Sequence, residues 1–199
     1  MNVNLEKLFD SHSEWLESEG EGGEQLALEM ISSEQLTNEQ LQLLTDSVLT
    51  ECSFKRIELR EIDLYHTEMY SCEFNNVSFG KVQFIKSEVN DTKFTDSNFE
   101  TVNFNNAEIF DCVFCGCTFS DSSFISTGIW NTLFDNCTFV NIDFENAYFE
   151  KIVFRNSKFI NPINLDKATK IVINIGTVEN PQLLTHEESL RWITDNSIS

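Results

Sequence analysis

The sequence predicts an all-β solenoid, a chain that winds around a column of its own apolar side chains. The first observation is a five-residue period: from Phe54 to Phe159, 22 positions in one phase are all apolar, and 16 of them are Phe. The other six members are Leu59, Leu64, Met69, Val89, Ile109 and Ile129. A period of five matches neither an α-helix nor a flat strand.

The second observation is a column of small, β-branched or cysteine residues two positions before each large one, from Cys52 to Ser157. Inward residues two apart indicate extended backbone, because successive side chains of a strand point to opposite sides. The next inward pair follows after three residues, which indicates a corner. The chain is therefore expected to turn once in every five residues.

Segments such as Ser97–Thr101 (SNFET) and Ala147–Lys151 (AYFEK) resemble the A-[DN]-[LF]-x-x consensus of the pentapeptide-repeat family. The resemblance covers about residues 52–161. It implies a right-handed quadrilateral β-helix with four pentapeptides per coil, so that residues 20 apart stack. The 22 repeats then give about 5.5 coils, or about 6.5 with a degenerate coil before them.

Four segments are expected along the chain, because an open solenoid end exposes unpaired backbone and needs a cap. Residues 1–23 have apolar side chains at helical spacing followed by a glycine loop, which predicts a capping helix. Residues 24–51 form either a degenerate first coil or a helix that begins at the capping box Thr37–Gln40. Residues 52–161 form the solenoid, and 162–199 a closing strand and a C-terminal helix.

Composition excludes several classes of function. The 199 residues include 33 acidic and 13 basic ones, a net charge of −20, which argues against direct binding to nucleic acid or anionic lipid. No apolar run reaches the length of a membrane span, and the first residues do not resemble a signal peptide. We therefore expect a cytoplasmic protein that needs no cofactor.

No catalytic constellation is visible in the sequence. The three histidines (His12, His66 and His186) lie far apart in the repeat, and no nucleophile–base pair or phosphate loop accompanies them. Cys112, Cys115 and Cys117 have the spacing of metal ligands. The repeat points two of them inward on different faces and Cys115 outward, so they cannot converge on zinc. An enzyme and a metal site are therefore not expected.

Five of the six cysteines belong to the small inward column, where a thiol acts as a small hydrophobe. Cys52 with Cys72, and Cys117 with Cys137, stack one coil apart, a placement that a disulfide would fit. Reduced thiols are the expectation for a protein without a secretion signal.

The middle of the repeat is acidic, with nine acids and no Lys or Arg between Phe94 and Glu150. This stretch covers about 14 Å of rod, over which duplex DNA carries about 8 charges. It is a candidate partner-binding surface, and a plain solvated surface is the alternative. Its members are Asp96, Glu100, Glu108, Asp111, Asp121, Asp135, Asp143, Glu145 and Glu150. Glu68, Glu88 and Glu108 are also expected to stack, at a cost in repulsion that a partner or cation would relieve.

An apolar seam is expected where two faces meet, because six large apolar side chains point outward there. A contiguous exposed patch of this kind indicates an interface. It would contact a foreign partner, a second copy in a homodimer, or the N-terminal helix. The seam consists of Tyr70, Phe110, Val113, Trp130, Leu133 and Val153.

Two functions follow from the sequence. The first is a non-enzymatic protein-interaction solenoid with an unknown partner. The second comes from the resemblance: some pentapeptide-repeat proteins mimic DNA and bind type II topoisomerases such as DNA gyrase, which they inhibit or protect from quinolones or toxins. The acidic middle of the repeat favours this alternative, and the seam favours the first function.

Overall fold

The computed structural model describes residues 4–177 and 180–198, which form a parallel-strand β-solenoid of about seven turns with short helices near its ends. The helices are α1 (Leu5–Glu17), α2 (Asn38–Leu41) and α3 (His186–Asp195), and 3-10 turns cover Ser33–Gln35 and Leu165–Lys167. The predicted quadrilateral solenoid is confirmed. No helix within these residues is long and apolar enough to cross a membrane.

Each turn has four faces, which we call A, B, C and D in chain order. The strands of face A are Ala27–Glu29, Val48–Thr50, Glu68–Tyr70, Glu88–Asn90, Glu108–Phe110, Gly128–Trp130, the start of Tyr148–Arg155, and Lys170–Ile173. Those of face B are Ser53–Lys55, Glu73–Asn75, Lys93–Thr95, Val113–Cys115, Leu133–Asp135 and the end of Tyr148–Arg155. Those of face C are Glu58–Arg60, Ser78–Gly80, Asn98–Glu100, Thr118–Ser120, Thr138–Val140, Lys158–Ile160 and Ser197–Ile198.

Strands of successive turns pair in parallel, and in the repeat region the paired residues are 20 apart, as in Phe74 with Phe94. Face D pairs only through single bridges, such as Gln83 with Asn103. The strand Tyr148–Arg155 turns from face A to face B and joins their strands into one 13-stranded sheet. The 20-residue register is the one that four pentapeptides per turn require.

The interior is filled by stacked phenylalanine rings. On face C, Phe99 lies between Phe79 and Phe119, with ring centroids 4.6 and 4.5 Å away. The stacks on faces B and D have similar spacing, because the strand spacing of about 4.8 Å sets it. Rings of neighbouring faces meet at steep angles, as Phe94 and Phe99 do at 64°. Both geometries are favourable for aromatic pairs.

Face A differs because its inward residues are mostly aliphatic, such as Ile109 and Ile129. From Phe74 onward, three rings per turn fill the centre, and a fourth position holds a smaller side chain. The exception is Phe149, which meets Phe144 and Phe124 edge-on at 5.7 and 6.4 Å. Beside it the Phe124–Phe144 stack opens to 6.4 Å, whereas Phe104 and Phe124 lie 4.8 Å apart.

The corners are made by left-handed residues, one in every pentapeptide. From Glu51 to Asn161 all 23 such positions have positive φ, and twelve of them are Asn or Asp. These residues tolerate the left-handed region better than other residues with a Cβ. The abundance of Asn and Asp in the polar positions of the repeat therefore has a conformational cause.

The turns at both ends depart from the repeat and raise the number of turns to about seven. In the first, Leu28 pairs with Leu49, 21 residues later, because the 3-10 turn and α2 replace regular corners. In the last, Tyr148 pairs with Lys170, 22 residues later, and the pairing contains a bulge. Neither pairing could be counted from the five-residue period.

Side chains of the terminal helices cap both ends. At the first end, His12 of α1 accepts a hydrogen bond at Nδ1 from the Leu26 amide and donates from Nε2 to the Thr45 carbonyl, both 3.0 Å long. At the other, the amide of Ile171 donates to His186 Nδ1 at 3.0 Å, and Trp192 stacks on Phe154. These backbone amides, which would be unpaired at an open strand edge, therefore have hydrogen-bond partners.

Candidate interaction surfaces

The backbone conformation explains why some members of the acidic surface predicted from the sequence are aspartates. Asp96, Asp111 and Asp121 all occupy left-handed corners, with φ of 49°, 54° and 50°. Their carboxylates are exposed at three different corners of the rod: between faces B and C, A and B, and C and D, respectively. With Glu108 on face A they surround the middle turns, and they do not form one patch.

Three other acids of the set are neutralised by bases that follow the acidic stretch. Arg155 donates two hydrogen bonds to Asp135, at 2.9 and 2.6 Å, and lowers the pKa of that carboxyl. Lys167 lies 3.5 Å from Glu145. Lys170 lies 3.2 Å from Glu150, the pKa of which is lowered first by the Tyr148 hydroxyl and then by the lysine.

The remaining two acids are also engaged. Asp143 accepts hydrogen bonds from the Glu145 amide at 3.0 Å and from Asn164 Nδ2 at 2.9 Å, a structural role. Glu100 lies 4.0 Å from Arg60. Within the described residues, Asp96, Glu108, Asp111 and Asp121 have no ion pair, so the free acidic surface is smaller than the sequence indicates.

The aromatic members of the seam lie on face A. The rings of Phe110 and Trp130 are stacked, with centroids 4.6 Å apart, and Tyr148 lies 5.6 Å beyond the indole. The indole reaches over Gly128, where an added Cβ would overlap the ring. Sequence reasoning missed Gly128 and Tyr148. The signal is a glycine in an outward strand position two residues before a tryptophan.

Tyr70 is separated from that stack by the turn that carries Asn90. Its hydroxyl donates to Glu68 Oε2 at 2.9 Å and lies 3.4 Å from Glu88 Oε1. Burial and these carboxylates raise the pKa of Tyr70 to about 12. The expected stacking of Glu68, Glu88 and Glu108 is present, since they pair in register on face A.

The aliphatic members of the seam, Val113, Leu133 and Val153, are paired in register on face B. Leu133 and Val153 are part of the lining of a groove of about 620 Å³, together with Lys151, Arg155 and the segment 174–177. All six seam residues are half-buried. The helix α1 lies at the first turn, where Phe9 and His12 are buried, and the seam lies on later turns.

The cysteines are free thiols, and five of them are buried in the inward column. Cys137 Sγ lies 3.4 Å from the Phe114 carbonyl, and Ser157 Oγ in the next turn lies 3.0 Å from the Phe134 carbonyl. The thiols therefore occupy the place of hydroxyl donors. Burial raises the pKa of Cys112 to about 12, which makes it unreactive. Cys115 is half-buried on the outside of face B.

No chemistry-bearing cluster comes together in the part of the chain that the structure describes. No three or more His, Cys, Asp or Glu side chains there lie as a metal site requires. His12 and His186 serve the caps, and His66 Nδ1 lies 2.8 Å from Asp46 at a corner. The outward residues of faces A and B are thus the most distinctive surface of the molecule.

The five-residue repeat and its 20-residue register make the chain a β-solenoid built from five-residue repeats, an architecture consistent with that of pentapeptide-repeat proteins. Its sequence matches no family model and no curated protein.

The chain is similar to solved structures of pentapeptide-repeat proteins. One is HetL from the cyanobacterium Nostoc sp. strain PCC 7120, involved in heterocyst differentiation regulation (10% identity over 69% of this chain and 82% of that one, TM-score 0.36). Rfr23 from the cyanobacterium Cyanothece 51142 is 7% identical over 70% and 84% of the two chains (TM-score 0.33). The plasmid-mediated fluoroquinolone resistance protein QnrB1 is 10% identical over 78% and 93% (TM-score 0.28).

Proposed function

We propose that this chain is a non-enzymatic, cytoplasmic protein-interaction solenoid that binds a protein partner through the apolar seam. The observation that carries this proposal is the Phe110–Trp130 stack beside Leu133 and Val153, outward side chains in a molecule whose interior is already full. Aromatic side chains are enriched at the centres of protein interfaces and supply much of their binding energy.

The seam is also supported by its backbone. It belongs to regular paired strands, so its side chains are held at fixed spacing, and little conformational entropy is lost on binding. Leu133 and Val153 stand on neighbouring turns of face B, and Phe110 and Trp130 stand on neighbouring turns of face A. A partner would therefore meet a rigid apolar strip that wraps one corner of the rod.

The test is a double variant, Trp130→Ser with Leu133→Ser. Its matched control is Tyr65→Ser with Val140→Ser, which also removes one outward aromatic and one outward aliphatic side chain, on faces D and C. A photo-crosslinking residue at position 113 would identify the partner in cells, and calorimetry with that purified partner would measure affinity. Sedimentation of the purified wild type and of both variants, without a partner, tests whether two copies associate as a homodimer through the seam.

We expect the seam variant to lose binding by at least about tenfold, since hot-spot side chains contribute about 2 kcal/mol or more each. The control should bind as the wild type does. Equal binding by both variants, to a foreign partner and to a second copy, would refute the seam as the interface.

The second candidate is a DNA-mimicking binder of a type II topoisomerase such as DNA gyrase, which the chain would inhibit or protect from quinolone or toxin. The observation in its favour is the placement of Asp96, Glu108, Asp111 and Asp121 around the middle turns. Each is exposed, and none has an ion pair within the described residues. Carboxylates around a rod can replace phosphates around a duplex in a basic groove.

A gyrase supercoiling assay with and without a quinolone tests this candidate, using the triple variant Asp96→Asn, Asp111→Asn and Asp121→Asn. Asparagine keeps the left-handed corners, so charge is removed without a change of fold. Under mimicry, the wild type should inhibit gyrase or protect it at micromolar concentration, with steep weakening by salt, and the variant should not. Absence of any effect at high excess would eliminate mimicry of gyrase.

A further inference from the structure

The first strand of face A, Ala27–Glu29, stands at the end of its sheet and pairs with Val48–Thr50 of the next turn. In this register the amides of Leu28 and Met30 face the next turn, so the amide and carbonyl groups of Ala27 and Glu29 point the other way. Within the described residues, none of these four backbone groups has a hydrogen-bond partner. The first edge of face A therefore presents two donors and two acceptors that the fold does not use.

The opposite edge of the same face is closed. In its last strand the amides of Ile171 and Ile173 point outward, and they donate to His186 Nδ1 and Ser189 Oγ of α3, at 3.0 and 3.1 Å. Strand edges that stay open can pair with a strand of another chain, which is why proteins normally cover them. At the first edge, α1 leaves the backbone groups of Ala27 and Glu29 uncovered.

A groove of about 360 Å³ lies between this edge and α1. Its lining includes Leu8 of α1 and the inward residues Leu28 and Ile31, and Met30 beside them is 67% exposed. Room and an apolar surface for a further strand are therefore present next to the unused backbone groups.

Met30 occupies a corner for which methionine is poorly suited. Its φ is 54°, and among the described non-glycine residues with positive φ it is the one apolar side chain. Asn and Asp adopt this conformation at lower cost. Because Met30 is also exposed, burial does not offset that cost, whereas a flexible thioether suits a surface that binds apolar groups. Contact with a partner would explain the methionine, and folding does not.

We propose that this edge binds an extended, basic segment of a partner protein, which adds one strand to face A by β-augmentation. Charge determines the kind of partner, because residues 1–50 contain eleven acidic residues and one lysine, and Glu29 is exposed on the edge strand itself. A second copy would bring the same acids to the edge and be repelled. Lysine or arginine at alternate positions of an added strand would instead pair with them. This surface is separate from the seam, which lies on later turns.

The probe is a blocked hexapeptide of alternating valine and lysine, which has one apolar and one basic face. One control is the same peptide with every internal amide N-methylated, which keeps the charges but removes the donors. The other control has glutamate in place of lysine. The affinity of each peptide is measured by calorimetry.

The structural readout is the solvent exchange of backbone amides, measured by NMR. With the probe at about ten times its Kd, exchange at the Ala27 and Glu29 amides should slow about tenfold. Neither control peptide should slow it. The amides of Glu58 and Arg60, on the first strand of face C, also point away from their strand neighbour and should be unaffected.

Ala27→Pro tests the backbone of the edge. Proline removes an outward amide that the fold does not use, and it is tolerated on the outer side of an edge strand. The matched control Ala27→Val keeps the amide. Ala27→Pro should weaken binding by about two- to tenfold, the value of one hydrogen bond, and Ala27→Val should bind as the wild type does. If Ala27→Pro does not fold, the N-methylated peptide makes the same test on the wild type.

Met30→Asn separates binding from folding. Asparagine suits the left-handed corner, so the unfolding temperature should stay the same or rise. The affinity for the probe should fall by about two- to fivefold, because apolar contact is lost. A lower unfolding temperature with unchanged affinity would make Met30 a structural residue and contradict its place in the site.

Glu29→Gln tests the charge. It should weaken binding of the probe at low salt by about twofold. Its matched control, Glu73→Gln, removes an exposed carboxylate from face B and should leave the affinity unchanged. Equal losses in the two variants would contradict a role for Glu29.

Three outcomes would overturn the proposal as a whole. The first is unchanged exchange at Ala27 and Glu29 in the presence of the probe, and the second is equal affinity for the probe and its N-methylated form. The third is a wild-type dimer that Ala27→Pro abolishes, since the occupant of the edge would then be a second copy. The seam variant, Trp130→Ser with Leu133→Ser, should bind the probe as the wild type does, so failure of the seam and failure of the edge are distinguishable.

Discussion

At the scale of the residue, a buried histidine shows how a polar side chain becomes part of a cap. His12 is completely buried, and each ring nitrogen has one backbone partner: the Leu26 amide donates to Nδ1, and Nε2 donates to the Thr45 carbonyl. This arrangement requires the neutral ring with its proton on Nε2. Burial lowers the pKa of His12, so the folded state resists protonation.

This histidine makes stability depend on pH. The unfolded ring has a pKa of about 6.5, so as pH falls below that value the unfolded state gains a proton that the folded state does not accept. The contribution of His12 is therefore complete above pH about 6.5 and is lost as pH falls through its lower folded pKa. In urea unfolding, His12→Gln should reduce the difference between the free energies of unfolding at pH 7.5 and pH 5.5. The control His66→Gln should keep the difference that the wild type shows. If the free energy of unfolding changed with pH equally in the wild type and in His12→Gln, this role of His12 would be contradicted.

At the scale of the element, the sequence was informative wherever the five-residue period held. The parallel strands of residues 52–161 follow from the inward columns, and the Asp135–Arg155 pair could have been found, because the two residues are 20 apart. The pair Glu145–Lys167 could not, because the repeat ends at Pro162 and the last turn contains two extra residues. Glu150 and Lys170 are 20 apart only by coincidence, because in the irregular last turn the strand partner of Lys170 is Tyr148. The placement of the Trp130 indole over Gly128 depends on side-chain rotation, which no period encodes.

At the scale of the whole molecule, stability comes from a balance between three ring stacks and one aliphatic stack. In the turn of Phe94, Phe99 and Phe104 the fourth inward residue is Ile109, and all four side chains are buried. In the turn of Phe149 all four are Phe, and the adjacent stack on face D opens by more than an ångström. The interior therefore has room for three rings per turn, and a fourth is accommodated only near the end of the rod.

The limit of three rings per turn predicts that three substitutions in the interior reduce the free energy of unfolding by different amounts. Phe99→Ala, in the middle of a close stack, should reduce the free energy of unfolding by about 3–5 kcal/mol. Phe149→Ile should cost less than about 1.5 kcal/mol, because Phe124 and Phe144 can close onto each other once the fourth ring is gone. Ile129→Phe should cost about 1–3 kcal/mol, since the Phe104–Phe124 stack beside it is already at 4.8 Å. Urea unfolding measures all three; if Phe149→Ile cost as much as Phe99→Ala, the fourth ring would be as well packed as the others, and the limit of three rings per turn would be wrong.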